Sequence, residues 1–276
     1  MATKSKFANM IEARIKHRAN LCVGLDPQLP CGGSQEEFLS ISRHLAGIVD
    51  QTAAYTAAYK LNVGFYLAGL EQGLGVLRYV VAHIKQSYPA IPIILDGKWG
   101  DIGSSNDQYV AFADHFSVDA VTIHNYMGGQ AMAPFLDKFF CFVLCRTSNP
   151  GSGEFQMMRR RTERNASLPL FLHVAYNVSV GWNSGGSNVG LVVGATYPDE
   201  LEQVNELVSG MIVLIPDVGA QGESVASALR SMDAQEGLNT PLINISRGIT
   251  SADNPGAAAL SFNKQIERAK PAGNVH

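Results

Sequence analysis

Short apolar runs that stop at a polar cluster recur along this chain, each followed by a stretch with the mixed polarity of a surface helix. This alternation constrains the fold more than any other feature. The runs predict strands at Leu21–Leu25, Ala58–Val63, Pro92–Leu95, Ala120–His124, Phe140–Arg146, Leu191–Ala195, Ile212–Ile215 and Leu242–Ser246. Between them, Glu37–Ala57, Leu67–Ser87, Asn106–Phe116, Asp199–Val208 and Gly222–Ala234 have the length and polarity of helices, several opened by Asp, Asn or Ser. Strand–helix alternation implies parallel strands, and eight such units predict an α/β chain closed into a (β/α)8 TIM barrel. The stretch from Asn165 to Gly190 reads either as helix or as strand, and it is taken as the helix after the fifth strand. No repeat, charge run or low-complexity linker divides the sequence, so residues 1–276 are expected to form one domain.

With 276 residues, 46% of them hydrophobic, the chain is large enough for one sizeable core. A net charge of −3 gives no basic excess, which argues against a sequence-independent grip on nucleic acid and points to a small-molecule partner. The first twenty residues, MATKSKFANMIEARIKHRAN, lack the apolar segment of a signal peptide, and no run reaches membrane-spanning length; a cytoplasmic protein is expected, with no membrane partner. Cys22, Cys31, Cys141 and Cys145 do not form a dense disulfide or metal pattern and are expected to be buried thiols.

In a barrel of this kind, function sits at the carboxyl ends of the strands. The third strand ends in IILDGKWGDIGSS, where Asp96, Lys98 and Asp101 follow an apolar run within six residues. That much charge at the end of a buried strand is costly to desolvate. The other strand ends contribute Asp26, Lys60 with Asn62, His124 with Asn125, Ser148 with Asn149, Gln221 and Arg247. Alternating Lys60, Asp96, Lys98 and Asp101 would keep a lysine cationic beside a carboxylate, an array suited to a developing carbanion. Late in the chain, PDVGAQG (216–222) and SRG (246–248) combine free backbone N–H groups, an amide and a guanidinium where such barrels often bind phosphate.

Bland readings compete with these. A D-x-K-x-x-D spacing arises by chance roughly a few times in a hundred chains of this size, and an isolated Asp–Lys pair in a loop is usually solvated. His124 is read as a hydrogen-bonded structural residue, Asp26 alone could simply open a turn before Pro27, and the Gly128–Gly129 and Gly185–Gly186 pairs read as turns. What favours the functional reading is that polar residues recur at so many strand ends.

As an ordered set, VGLDP at 23–27, KLN at 60–62, DGKWGDIGSS at 96–105, DAVTIHNYMGG at 119–129, RTSNPGS at 146–152, WN at 182–183, VGLVVGATYPDEL at 189–201, PDVGAQG at 216–222 and NISRGI at 244–249 resemble the orotidine 5′-phosphate decarboxylase family, most closely its longer bacterial-type branch. The resemblance implies conversion of orotidine 5′-monophosphate to UMP by a homodimer that uses neither metal nor organic cofactor. It gives Lys98 the role of protonating the C6 carbanion, and puts Asp96 beside the substrate carboxylate with Lys60 orienting it and contacting the ribose. Asp101 and Ser105 would cross to the neighbouring subunit's site. Asp26 would take a ribose hydroxyl, Ser148 the pyrimidine edge, Gln221 both base and phosphate, and Arg247 the phosphate. Trp99, Asp217 and Glu223 depart from the family pattern, Trp99 by its bulk and the two acids by standing in a phosphate loop. A related phosphosugar enzyme would use D-x-K-x-x-D around Mg²⁺ with an acid at the second strand's end, where this chain has Lys60. A silent nucleotide-binding or scaffold barrel is the other alternative.

Overall fold

The computed structural model describes residues 5–161, 167–183, 188–216, 218, 225–232 and 239–269. Its strands are β1 (Leu21–Gly24), β2 (Thr56–Asn62), β3 (Ile93–Trp99), β4 (Ala120–Ile123), β5 (Phe140–Arg146), β6 (Arg159–Arg161), β7 (Ser167–Pro169), β8 (Val189–Val193), β9 (Ile212–Ile215) and β10 (Thr240–Ile245). The helices are α1 (Lys6–Lys16), α2 (Gln35–Thr52), α3 (Val63–Leu67), α4 (Leu70–Ser87), α5 (Gly103–His115), α6 (Gly129–Leu136), α7 (Gly153–Gln156), α8 (Leu170–Asn177), α9 (Pro198–Leu207), α10 (Val225–Met232), α11 (Arg247–Thr250) and α12 (Pro255–Ala269). Eight strands close into a parallel barrel in the order β1-β10-β9-β8-β5-β4-β3-β2, while β6 and β7 form a separate antiparallel pair.

The barrel strands are nearly continuous apolar runs because both faces are covered. Outward residues such as Leu21, Val23, Leu95, Val121 and Val143 pack against the helical ring. Inward residues Cys22, Ala58, Ile94, Ala120, Phe140 and Leu242 pack with Phe7, Ala8 and Ile11 of α1. Phe7 stacks on Phe140 with ring centroids 4.6 Å apart and meets Phe142 edge-on. Helix α1, which the apolar pattern did not announce, therefore plugs the amino-terminal end of the barrel and leaves the carboxyl end for polar groups.

Helix α2 starts at a reciprocal capping box between Ser34 and Glu37. It stops earlier than the expected Ala57: Thr56 already pairs with Leu21 of β1, and Ala53–Tyr55 form a 3-10 turn into β2. The ambiguous stretch from Asn165 to Gly190 holds helix α8 and a π-helical turn at Val178–Trp182, as expected in type, but it also contains β7 near its start and the first residues of β8 at its end. Strand β3 runs past Leu95 to Trp99, and β8 lies two residues earlier than expected. All four cysteines are free; Cys22, Cys141 and Cys145 are buried thiols, with burial pushing Cys22 up to about 12, whereas Cys31 is exposed, contrary to expectation, because it lies in the turn before α2. Among the described residues, no helix is long and apolar enough to cross a membrane.

Candidate active site

The end of β3 is locally irregular. Leu95 pairs with Val121 and Trp99 with Ile123, so four steps along β3 match two along β4, and the surplus residues bulge. Lys98 adopts a left-handed backbone with φ of 48°, which is unfavourable for a residue with a Cβ and has to be held by its surroundings. Trp99 supplies part of that hold: its ring stacks on Phe135 at 6.1 Å and 6°, and on Tyr109 at 6.0 Å. A side chain on Gly97 would run into the same ring. The bulky departure from the family pattern thus pins the bulge to the core and accounts for the glycine two residues before it.

The bulge brings charges together. Lys60 Nζ donates to Asp96 Oδ2 at 2.9 Å, and Lys98 Nζ donates to Asp96 Oδ1 at 2.7 Å. The Thr122 hydroxyl also donates to Oδ1, at 2.7 Å, and accepts the Lys98 backbone N–H at 2.8 Å. Asp26 lies 3.8 Å from Lys60 Nζ and accepts hydrogen bonds from the Asn62 N–H and the Ser246 hydroxyl, both at 3.0 Å. Burial by itself would raise the Asp96 carboxyl, but Lys60, Lys98 and the hydrogen bonds outweigh it and hold the group well below the usual carboxylate range. Burial likewise works against the Lys60 ammonium, and Asp96 and Asp26 reverse the effect, leaving it raised. Side-chain exposure separates the two lysines: Lys60 is 7% exposed and Asp96 6%, whereas Lys98 is 47% exposed. Lys98 is therefore the ammonium that faces incoming solutes.

Asp101 stands apart from this cluster. Its backbone is fixed by Asn106, which accepts from the Asp101 N–H at 2.9 Å and donates to its carbonyl at 2.7 Å, while its carboxylate takes the Ile102 N–H at 2.8 Å. Ser105 lies four residues after Asp101, in the first turn of α5. His124 bridges this loop to the next: Nε2 lies 2.8 Å from the Gly100 carbonyl, and Nδ1 accepts the Tyr126 N–H at 3.3 Å, which agrees with its structural reading. Asn125 donates to the Leu144 carbonyl at 2.6 Å. Ile102 and Tyr126, on the two tied loops, are 59% and 89% exposed.

Across the mouth, β5 ends in Arg146, a buried residue that the sequence reading did not single out. Its guanidinium lies 3.8 Å from the centroid of the Tyr197 ring and 3.6 Å from Glu200, and it donates to the Ser152 hydroxyl and to the Thr147 carbonyl. Gln156 clasps Thr147 through both its backbone N–H and its hydroxyl. Ser148 packs so closely on Gly194 that a Cβ there would fall 2.9 Å from its own. Arg247 opens α11 and is exposed, and its neighbour Ser246 reaches back to Asp26. Gln221, Asp217 and Glu223 lie outside the described residues. A recess of about 340 Å³ beside the mouth is lined by Pro27, Gln28, Asn62 and Phe65. The larger one, about 530 Å³, lies against α2 between Gln28 and Ile41, away from the charge cluster. The convergent charges, not the recess volumes, mark the site.

Asp26, Lys60, Asp96 and Lys98 thus converge, Asp101 and Ser105 sit on an adjoining exposed loop, and Ser148 and Arg247 lie on other strand ends. Thr122 was missed because a lone threonine inside an apolar strand carries no distinguishing pattern. A family model described as "Orotidine 5'-phosphate decarboxylase / HUMPS family" matches residues 19–262. The orotidine 5′-phosphate decarboxylase of Verminephrobacter eiseniae is 38% identical, over 96% of this chain and 99% of that one. That of Herpetosiphon aurantiacus is 36% identical over 91% of each. Among solved structures, the OMP decarboxylase of Leishmania donovani superposes with a TM-score of 0.82 at 32% identity, covering 98% of both chains. With most of its length shared and its strand-end residues gathered at one mouth, the chain belongs to the orotidine 5′-phosphate decarboxylase / HUMPS family.

Proposed function

We propose that this protein decarboxylates orotidine 5′-monophosphate to UMP, the last step of de novo pyrimidine synthesis, as a one-domain cytoplasmic enzyme working in homodimers. The observation that carries the reading is the Lys60–Asp96–Lys98 cluster, with two ammonium groups on one buried carboxylate at 2.9 and 2.7 Å. The substrate's C6–carboxylate bond breaks, its electron pair stays on C6, and neutral CO2 departs. That pair has no adjacent carbonyl to delocalise it, so stabilisation must come from fixed charge. Lys98 Nζ, the exposed ammonium, faces the growing negative charge and then passes its proton to C6; solvent restores the proton to the lysine. Asp96 holds Lys98 in place and lies beside the substrate carboxylate, a like-charge contact that is relieved as CO2 leaves.

In the same reading, Lys60 orients Asp96 and reaches the ribose, and Asp26 takes a ribose hydroxyl. Ser148 reads the pyrimidine edge, Gln221 spans base and phosphate, and Arg247 grips the phosphate. Phosphate binding far from C6 then contributes to organising the reacting end. Asp101 and Ser105 serve the partner subunit's site. In support of this, Asn106 holds the Asp101 backbone through two hydrogen bonds, and Ile102 on their loop and Tyr126 on the loop tied to it are exposed apolar residues. Mixing Lys98→Ala with Asp101→Ala protein should restore activity through hybrid dimers; exchange of subunits without recovery would remove the cross-subunit role.

The family name also covers the phosphosugar branch, in which this motif surrounds Mg²⁺. Here Lys60 Nζ lies between Asp96 and Asp26, so a divalent cation would have to displace an ammonium to reach both carboxylates. Incubating the purified protein with orotidine 5′-monophosphate, with and without EDTA, separates the readings. Release of CO2 and UMP at equal rates under both conditions is expected. Loss of turnover in EDTA would favour the metal-dependent branch, and no turnover by folded protein would favour a silent barrel.

A further inference from the structure

We infer that Thr122 is a positioning residue that holds Lys98 ready for proton transfer; the inference rests on the decarboxylase reading and deepens it. Thr122 lies on β4 between Val121 and Ile123, the two residues whose partners on β3 flank the bulge, so it sits opposite the surplus residues. Its side chain is buried and its hydroxyl is engaged on both sides.

The direction of each bond follows from chemistry. A backbone N–H can only donate and an ionised carboxylate can only accept, so the one hydroxyl hydrogen of Thr122 points to Asp96 Oδ1 while its oxygen receives Lys98 N–H. Lys98 Nζ ends on that same Oδ1 at 2.7 Å. The path from the Lys98 backbone through the Thr122 hydroxyl and Asp96 to the Lys98 ammonium is therefore closed. It fixes the lysine at both ends of its flexible stem, and it holds the left-handed φ of 48° that directs the side chain into the mouth. It also gives Oδ1 two donors, leaving the carboxylate little freedom to rotate.

Without the hydroxyl, Lys98 would keep its ion pair but lose the anchor of its backbone, and displacement of a reacting group by an ångström costs on the order of 100-fold in rate. Thr122 touches neither the ribose nor the phosphate residues assigned above, so affinity should be spared. Thr122→Val keeps the shape and removes both hydrogen bonds, while Thr122→Ser keeps the hydroxyl. We expect Thr122→Val to lower kcat by about 10- to 100-fold, with KM and the dissociation constant for UMP little changed. Thr122→Ser should recover most of kcat even if its melting temperature falls as far as that of the valine variant. Equal kcat in wild type and Thr122→Val would overturn the inference. So would a loss confined to KM and UMP binding, or losses in kcat that follow melting temperature alone in both variants. If Thr122→Val does not fold, Thr122→Cys, a near-isostere with a weak donor, takes its place, with kcat expected below that of Thr122→Ser and the same overturning outcomes. Absence of turnover by the unaltered protein would instead overturn the decarboxylase reading, and this role with it.

Discussion

The two halves of the barrel mouth are built on opposite principles. On the β1–β4 side, both oxygens of Asp96 and both of Asp26 accept hydrogen bonds, and the two lysines are held by the same carboxylates. On the β5–β10 side, Arg146 Nε, Asn183 Oδ1 and Thr196 Oγ1 are buried without a hydrogen-bond partner, and Arg247 is exposed. Unpartnered buried polar atoms are costly, and a protein tolerates few of them. The contrast teaches that the half assigned to bond-breaking is preorganised by its own residues, whereas the half assigned to base and phosphate leaves, among the described residues, three buried polar atoms without a partner. Preorganised charge lowers a barrier because nothing has to reorient during the reaction, and binding groups gain by meeting the ligand rather than each other.

The largest effect should come from the organised half. Lys98→Ala removes both the facing charge and the proposed proton donor, and a loss of about 10⁴-fold or more in kcat is expected, read from steady-state decarboxylation by circular-dichroism-matched protein. Next comes the buried guanidinium. Arg146→Ala strips the partner from Glu200 and takes a donor from the Thr147 carbonyl and the Ser152 hydroxyl, so a loss of about 3 kcal/mol of unfolding free energy is expected, measured by urea titration. Arg146→Met should be much milder, since an apolar side chain of similar length removes the unpartnered Nε as well; equal losses in the two variants would break the contrast between halves. Arg247→Ala should cost about 1.5–3 kcal/mol of binding, seen mainly as a raised KM and weaker UMP affinity.

The smallest effect is on pH dependence. Asp96 titrates below its ordinary 3.8, so its contribution to stability is complete above that value and is lost as pH falls towards the folded-state value. Lys60 titrates above its ordinary 10.5, so its contribution is complete below that value and is lost as pH rises towards the raised one. Across the neutral range the pair should therefore change stability by less than about 0.5 kcal/mol. Urea midpoints between pH 5 and 9 test this, and in Asp96→Asn the acid-side loss should be shallower than in the unaltered protein.

The sequence reveals these two halves unequally. Alternation along the chain was enough for eight parallel strands because apolar runs covered on both faces leave a strong signal, and Phe140–Arg146 was legible to the residue. Lys60, Asp96 and Lys98 were legible because charge at the end of an apolar run is rare without a use. Helix α1 was missed: its stripe of Phe7, Ala8 and Ile11 acquires meaning only from the barrel end it plugs. Strand β3 was read as ending at Leu95 because the apolar run stops there and charge follows; only pairing with β4 and the stacking of Trp99 on Phe135 and Tyr109 keep the next residues in the sheet. Thr122 and Arg146 act through contacts tens of residues distant in the chain or through a loop's fold, which local pattern does not encode.

The central claim is that bond-breaking and the binding of base and phosphate belong to different halves of one mouth. The most direct test measures, for Lys98→Ala and Arg247→Ala side by side, the decarboxylation rate at saturating orotidine 5′-monophosphate and the dissociation constant for UMP. The account predicts that Lys98→Ala abolishes the rate while UMP binding stays within about tenfold, and that Arg247→Ala weakens UMP binding by more than it lowers the saturated rate. Near wild-type turnover by Lys98→Ala would contradict it.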